Sequence, residues 1–290
     1  MSVHNGAATV GSAIRSLLWQ TFSDWELLIV NDASTDATLQ ICRQFQDSRI
    51  RLVDESQRRG LAARLNQCIN HARGTYVARM DADDIAYPER FERQILYLKS
   101  HPHIDLLGHG AVLFKGDGQV IGVYPTACEH DEICSRPWWG FPLAHPTWMG
   151  KRSWFSCHPY SEDLIKGQDQ ELLLRSYRTS RFAALPDILL GYRMEGISVK
   201  KSWWGRLSYC RQLVRQISDG PSGMIAARGI FVHGLAFSRD VLLDASGSLN
   251  QRSRQSFQAA DDDVINQWQR TWNRATSGDA IGFEPAFLRS

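Results

Sequence analysis

Acidic and amide side chains stand at the ends of short apolar runs in this sequence. Tyr76-Val77-Ala78-Arg79-Met80 leads into Asp81-Ala82-Asp83-Asp84. Trp25-Glu26-Leu27-Leu28-Ile29-Val30 stops at Asn31-Asp32, and Met1-Ser2-Val3 precedes His4-Asn5-Gly6. A carboxylate is a hard oxygen ligand. Two of them at D-x-D spacing on a strand end can share a Mg²⁺ or Mn²⁺ ion already bound to a diphosphate. The cation offsets phosphate charge that a carboxylate would repel, and it stabilises charge developing on a departing diphosphate. A lone D-x-D is a weak signal, because Asp81 or Asp84 could equally be a turn residue or cap ahead of Pro88. Asp32 at a second strand end favours the ligand role. Asp169 heads the helical pattern Gln170–Tyr177, either as its N-cap or as a carboxylate able to accept a proton.

The elements that position these residues follow from apolar spacing. Val10, Ile14, Leu17 and Leu18 predict a helix over Thr9–Gln20 with Thr9 as N-cap. Further helices are predicted from Ser34-Thr35-Asp36 through Phe45, over Gly60–Ala72 with Gly74 ending it, from Pro88 to about Lys99, and over Gln168–Tyr177. Strands are predicted at Trp25–Val30, Ile50–Val53 and Tyr76–Met80. Ile104–Phe114 and Gln119–Tyr124 flank Lys115-Gly116-Asp117-Gly118, a hairpin turn. Arg136–Phe155, rich in Trp, Pro and His, reads as loops around a site. The alternation implies an α/β fold, a mixed and mostly parallel sheet flanked by helices. Ligands of such sheets bind beyond the carboxyl ends of the strands, where His4, Asp32 and Asp81–Asp84 fall. Met1-Ser2-Val3 is short for an opening strand, as expected of a chain that starts late in it.

Composition narrows the class. The 290 residues are 43% hydrophobic and 22% charged, which excludes a disordered or fibrous chain. A net charge of +2 gives no general pull toward nucleic acid, and no nucleic-acid partner is expected. Residues 200–290 carry 12 Lys and Arg against eight Asp and Glu, so an acidic partner is expected there rather than on residues 1–199. Six scattered cysteines without a C-x-x-C pair read as reduced thiols of a cytosolic protein. Cys128, His130, Cys134, Cys157 and His158 match no common zinc spacing. No signal peptide is read in Met1–Gly11, and no apolar run reaches the length of a membrane-spanning helix.

Several motifs in order resemble family 2 glycosyltransferases of the GT-A fold. Ser2–Gly6, Gln20–Leu27 and Val30–Asp36 are similar to that family's N-terminal signature, and Met80–Asp84 followed by Pro88-Glu89-Arg90-Phe91 to its D-x-D segment. His145-Pro146-Thr147 resembles an acceptor-side motif, Gly167–Arg175 the segment E-D-x-x-L-W-L-R, and Leu185–Arg193 the closing strand. The resemblance covers residues 1–199, leaving 200–290 as a mainly helical extension. It implies an inverting transfer of a sugar from a nucleotide diphosphate sugar, expected to be a UDP-sugar, to a hydroxyl of a glycan or lipid-linked acceptor. Cell-surface polysaccharide or lipopolysaccharide synthesis is the implied setting. By the same resemblance Asp32 contacts uracil, with His4 where the family often stacks a Tyr on the base. Asp81 meets the ribose or the metal shell, Asp83 binds Mn²⁺ or Mg²⁺, and Asp169 is the general base. Gln168 departs from the family's usual Glu.

Weaker candidates are Arg58 and Arg59 for phosphate, Asn66 as packing or surface, His145 for the acceptor or a product phosphate, and Trp138-Trp139 as a sugar-stacking platform. Lys200–Ile217 has five basic residues and no acid, with Trp203, Leu207, Cys210, Val214 and Ile217 on one face. This fits either packing on the catalytic domain or peripheral contact with an anionic membrane, at the inner face of the cytoplasmic membrane. Asp261-Asp262-Asp263 reads as a helix start. A non-catalytic glycan- or nucleotide-binding protein of the same fold is an alternative, though Asp83 and Asp169 are both present. A nucleotidyltransferase would need a Gly-rich basic phosphate loop, which His4–Ala8 lacks.

Overall fold

The computed structural model describes residues 1–194, 199–215, 223–246 and 257–277. The first sheet is wholly parallel. Its strands β1 (Ser2–Val3), β2 (Leu27–Asp32) and β3 (Ile50–Glu55) lie in that order, with β2 in the middle. All six residues of β2 are buried, which is why it reads as a continuous apolar run rather than an alternating one. Helices α1 (Val10–Leu18), α2 (Thr38–Arg43) and α3 (Leu61–His71) connect or follow these strands.

The second sheet is mixed. Strands β4 (Tyr76–Ala78), β5 (Ile85–Ala86), β6 (Leu106–Phe114), β7 (Val120–Tyr124), β8 (Met149–Lys151) and β9 (Phe182–Arg193) run in the order β4-β8-β6-β9-β5, with β7 paired to β6. Only β6 and β9 pair in parallel there. Helices α4 (Arg90–Ser100), α5 (His130–Ile133), α6 (Arg152–Cys157) and α7 (Gln168–Ser176) belong to this half. The chain ends in α8 (Val199–Arg215), α9 (Gly223–Ala245) and α10 (Asp262–Thr276).

The structure corrects several expectations. Arg136–Phe155 is not all loop: it contains a turn of 3₁₀ helix at His145–Thr147, strand β8 and part of α6. Strand β8 is three residues long and gains its order from β4 and β6 on either side, a tertiary effect that leaves no period in the sequence. The predicted helix over residues 34–45 is confined to Thr38–Arg43, because Ser34 and Asp36 are spent on the loop at Asn5–Ala7. Thr9 precedes α1 but makes no side-chain cap. Extended Ala72, not Gly74, terminates α3. Asp261 does cap α10, its carboxylate accepting from the Val264 amide at 2.9 Å.

The C-terminal helices pack on the catalytic half. Trp268 of α10 is buried against Phe114, with ring centroids 4.6 Å apart, and its indole donates to the Gly118 carbonyl. It rests on Gly191 of β9 so closely that a Cβ there would fall 2.0 Å from the ring. In α8 the face expected to be apolar is not the one that packs. Tyr209, Gln212 and Leu213 are buried, whereas Val214 is exposed and Trp203 meets Phe237 of α9. The side chains of Lys200 and Lys201, and Ile217, lie outside the described residues.

Candidate active site

The register Val3↔Asn31 brings His4 beside Asp32, and His4 Nδ1 lies 2.8 Å from the Asp32 carbonyl oxygen. The loop after β1 is tied to the loop after β2. Thr35 N–H donates to Asn5 Oδ1, Asn5 N–H to Ser34 Oγ, and Gly6 N–H to Thr38 Oγ1. These bonds fasten Asn5-Gly6 to the Ser34–Thr38 stretch. They also hold Ala33 at a φ of 54°, a left-handed conformation that a residue with a Cβ seldom adopts.

Asp32 is nearly sealed, its side chain 3% exposed. Oδ1 accepts from the Arg59 amide at 2.9 Å and Arg64 Nε at 2.6 Å, and Oδ2 from the Gly60 amide at 2.9 Å. Burial alone would raise its pKa, but those amides and the guanidinium outweigh burial and hold the carboxyl below the usual range. Arg59 thus reaches Asp32 through its backbone, while its exposed guanidinium pairs with Glu162. Arg58 is exposed. Asn66 clamps the chain at Tyr160 with both ends of its amide, so it is a structural tie rather than free surface.

Asp81, Asp83 and Asp84 converge so that one ligand atom of each lies within 4.8 Å of the others. Burial and then the Asp81 charge push Asp83 up to about 6, opposed by Arg193. Asp84 is fully buried and well above the carboxylate range, from burial and both neighbouring acids. One Asp84 oxygen accepts the Arg193 amide at 2.9 Å, and the other has no partner. Three crowded carboxylates with an unsatisfied oxygen suit a hard divalent cation, which Asp81 and Asp83 would hold with Asp84 behind them. Arg193, at the end of β9, also grips the Asp83 carbonyl through Nε.

Arg79, a residue the sequence reading passed over, links this cluster to the rest. It is 6% exposed and ion-paired with Asp81, and its Nε and Nη1 are buried without partners. Burial opposes its charge, but Asp81, then Tyr160 and Asp84, outweigh that and raise its pKa. Its field also reaches Asp169 and His145. Arg90, likewise missed, is completely buried and donates through Nη2 to the carbonyls of Arg79 and Pro146. It therefore bolts the aspartate strand to the His145-Pro146-Thr147 turn. Each of these arginines occupies an otherwise apolar position, and a charge on a core face was the available signal.

Asp169 lies within the first turn of α7, one residue past Gln168, and the N-cap position belongs to Gly167. It is therefore not the cap of its helix. Burial raises its pKa, with the Gln170 amide and Arg79 opposing. Gln168 is buried and donates to the Leu164 carbonyl at 2.8 Å, which an ionised Glu could not do. His145 Nε2 meets Tyr160 Oη at 2.8 Å, and burial, then Arg79, hold its pKa well below the usual value. Trp138 and Trp139 lie apart from this polar group. Arg228 covers the Trp138 ring at 3.8 Å, and Trp139 stacks on His233 of α9 at 5.2 Å. A cavity of about 620 Å³ opens there, lined by Trp139, Phe141, Arg206 and His233, and by Gly167 and Gln170 close to Asp169 in sequence.

Comparison with known proteins gives the family and the fold. The family model described as glycosyl transferase family 2 matches residues 1–158. EpsE of Bacillus subtilis (strain 168) is 36% identical over 157 residues, 53% of this chain and 55% of EpsE, so the chain spans little more than half of that relative. The O-antigen biosynthesis glycosyltransferase WbnJ of Escherichia coli is 29% identical over 214 residues, 70% of this chain and 81% of WbnJ. The crystal structure of S. aureus TarS 1–349 in complex with UDP-GlcNAc superposes with a TM-score of 0.62 at 17% identity, covering 94% of this chain and 80% of that one. At that identity the likeness is one of fold.

Proposed function

The chain belongs to glycosyl transferase family 2, and on that premise we propose that it moves a sugar from a UDP-sugar to a hydroxyl of a glycan or lipid-linked acceptor. The setting is cell-surface polysaccharide synthesis at the inner face of the cytoplasmic membrane. The observation that carries this reading is the convergence of Asp81, Asp83 and Asp84 beside Arg79, whose field also reaches Asp169. The O-antigen biosynthesis role of WbnJ supports the polysaccharide setting, and the UDP-GlcNAc held by TarS is in keeping with the donor class.

In this reading His4 and Asp32 receive the uridine end. A carboxylate offers about four acceptor positions. Asp32 uses both on Oδ1 and one on Oδ2, which leaves one for an imide N–H. Asp81 and Asp83 hold Mn²⁺ or Mg²⁺, which when bound offsets the diphosphate charge. Asp169 accepts the acceptor hydroxyl's proton as its oxygen bonds to the anomeric carbon and the bond to the diphosphate breaks. Attack from the face opposite the leaving group inverts the configuration. Arg79 favours the ionised form of Asp169 and pins Asp81. The cavity beside Trp139 takes the acceptor, with His145 acting through Tyr160.

The test is calorimetric titration with UDP, with and without Mn²⁺, on the wild type and Asp83→Ala. Mn²⁺-dependent binding that Asp83→Ala abolishes is the expected result. Binding that is indifferent to Mn²⁺ and to the substitution would remove the donor assignment.

A further inference from the structure

Helix α9 is buried along one side and carries large exposed apolar side chains along the other. Ala226, Gly229, His233, Ala236 and Asp240 recur at spacings of three and four residues and are buried. The opposite side carries Met224, Phe231, Leu235 and Leu242, which are 82, 65, 57 and 71% exposed, with Ile230 and Val241 beside them. Among the described residues nothing covers them. Packing fixes which side faces out. A Cβ on Gly229 would fall 2.3 Å from Leu213 and 3.1 Å from the Trp138 carbonyl, and Asp240 accepts from Arg206 at 2.9 Å. A continuous outward row of large apolar side chains marks an interaction surface.

Charge identifies the occupant. From Val199 to Arg239 the sequence has seven Lys and Arg and one acid, Asp219. On α9, Arg228 sits one turn from Met224 and Phe231, and Arg239, which shares Asp240 with Arg206, one turn from Leu235 and Leu242. Asp244, exposed near the helix end, is two residues past Leu242 and so lies round the helix from that row. Trp204 of α8 is also 48% exposed. Apolar side chains fringed by guanidinium groups match an anionic lipid surface, where the former enter the acyl boundary and the latter stay with the headgroups. A second copy would bring the same positive fringe and repel it. No helix among the described residues is long and apolar enough to cross a membrane, which leaves α9 lying on it. We infer that the outward face of α9, through Met224, Phe231, Leu235 and Leu242, docks the protein on an anionic bilayer. His233, on the inner side of the same helix, lines the cavity beside Trp139, so α9 stands between that cavity and the docked surface.

The experiment is cosedimentation of the full chain with phosphatidylcholine vesicles, with and without phosphatidylglycerol, in the absence of any donor. It stands apart from the transferase reading, since no turnover is measured. Binding to the anionic vesicles, weakened by salt, is expected. The double variant Phe231→Asp/Leu235→Asp lowers the affinity about tenfold or more, and Arg228→Gln about fivefold. Leu242→Asp, at the far end of the face, acts in the same direction if the double variant does not fold. Melting temperature serves as the folding control. Absence of vesicle binding, equal binding by the variants, or a self-association that Phe231→Asp/Leu235→Asp abolishes would each overturn the inference.

Discussion

Replacing Arg64 by Met isolates the buried pair beneath the first sheet. Met keeps an unbranched stem of similar reach and removes only the guanidinium. The losses are unequal. Glu55 is 30% exposed and, with Gln67, borders a polar cavity of about 490 Å³, so water can replace Arg64 at both. Asp32 is 3% exposed and cannot be rehydrated that way. It keeps the Arg59 and Gly60 amides but loses the counter-charge at hydrogen-bond distance. Breaking such a pair from one side costs about 3–5 kcal/mol, of a total of about 5–15 kcal/mol for a folded chain. The melting temperature should fall by about 6–20 °C. The pH dependence fixes the cause. Asp32's pKa is depressed in the folded state, so its contribution is complete above the unfolded value and disappears as pH falls through the folded one. Without Arg64 the carboxyl protonates at higher pH and escapes part of its penalty. Urea unfolding should therefore show the full gap between wild type and variant at neutral pH and a narrowing gap on approach to about pH 4. A gap below about 1 kcal/mol at neutral pH, or one that does not change with pH, would refute the pairing as the source of stability.

Asp169→Asn should leave UDP affinity unchanged and cut sugar transfer about 10²–10⁴-fold, read by release of UDP; unchanged transfer would remove the base assignment. Since burial raises the Asp169 pKa and only its ionised form can accept a proton, transfer should rise with pH through a limb above the ordinary aspartate range. Arg79→Gln removes a charge that opposes this shift, and the limb should move to higher pH, as a rate profile against pH would show. Gly191→Ala sets a methyl against Trp268 and should cost about 1–3 kcal/mol in urea unfolding, without touching any proposed ligand directly.

Much of the candidate site was legible because it is local. Asp32 and Asp81–Asp84 follow short apolar runs, and strand ends are where α/β sheets bind ligands. Asp261 announced its helix by cap chemistry alone. What escaped depends on partners far along the chain. Arg90 reads as one more charge on an amphipathic helix until its carbonyl partners, on Arg79 and Pro146, are brought together. Strand β8 is too short to carry a period. The apolar face of α8 was drawn from spacing alone, but spacing cannot say which of two neighbouring helices takes the interior. Gly229 settles that by letting α9 approach Leu213 closely, and leaves the bare side to α9.

The grip of Arg193 on Asp83 and Asp84 ties the acidic cluster to supports far along the chain. Arg193 closes β9, and Trp268 presses on Gly191 two residues earlier, while Arg193 itself lies over Phe114 and Trp272. The stretch that matches the family stops at residue 158, short of every one of these supports except Phe114. A fragment cut at residue 158 would keep all three aspartates and lose the brace that holds them in register. The family signature and the mechanical support of its aspartates thus have different extents in this chain, and the last described helix, remote from Asp81–Asp84 in sequence, backs the strand that holds them.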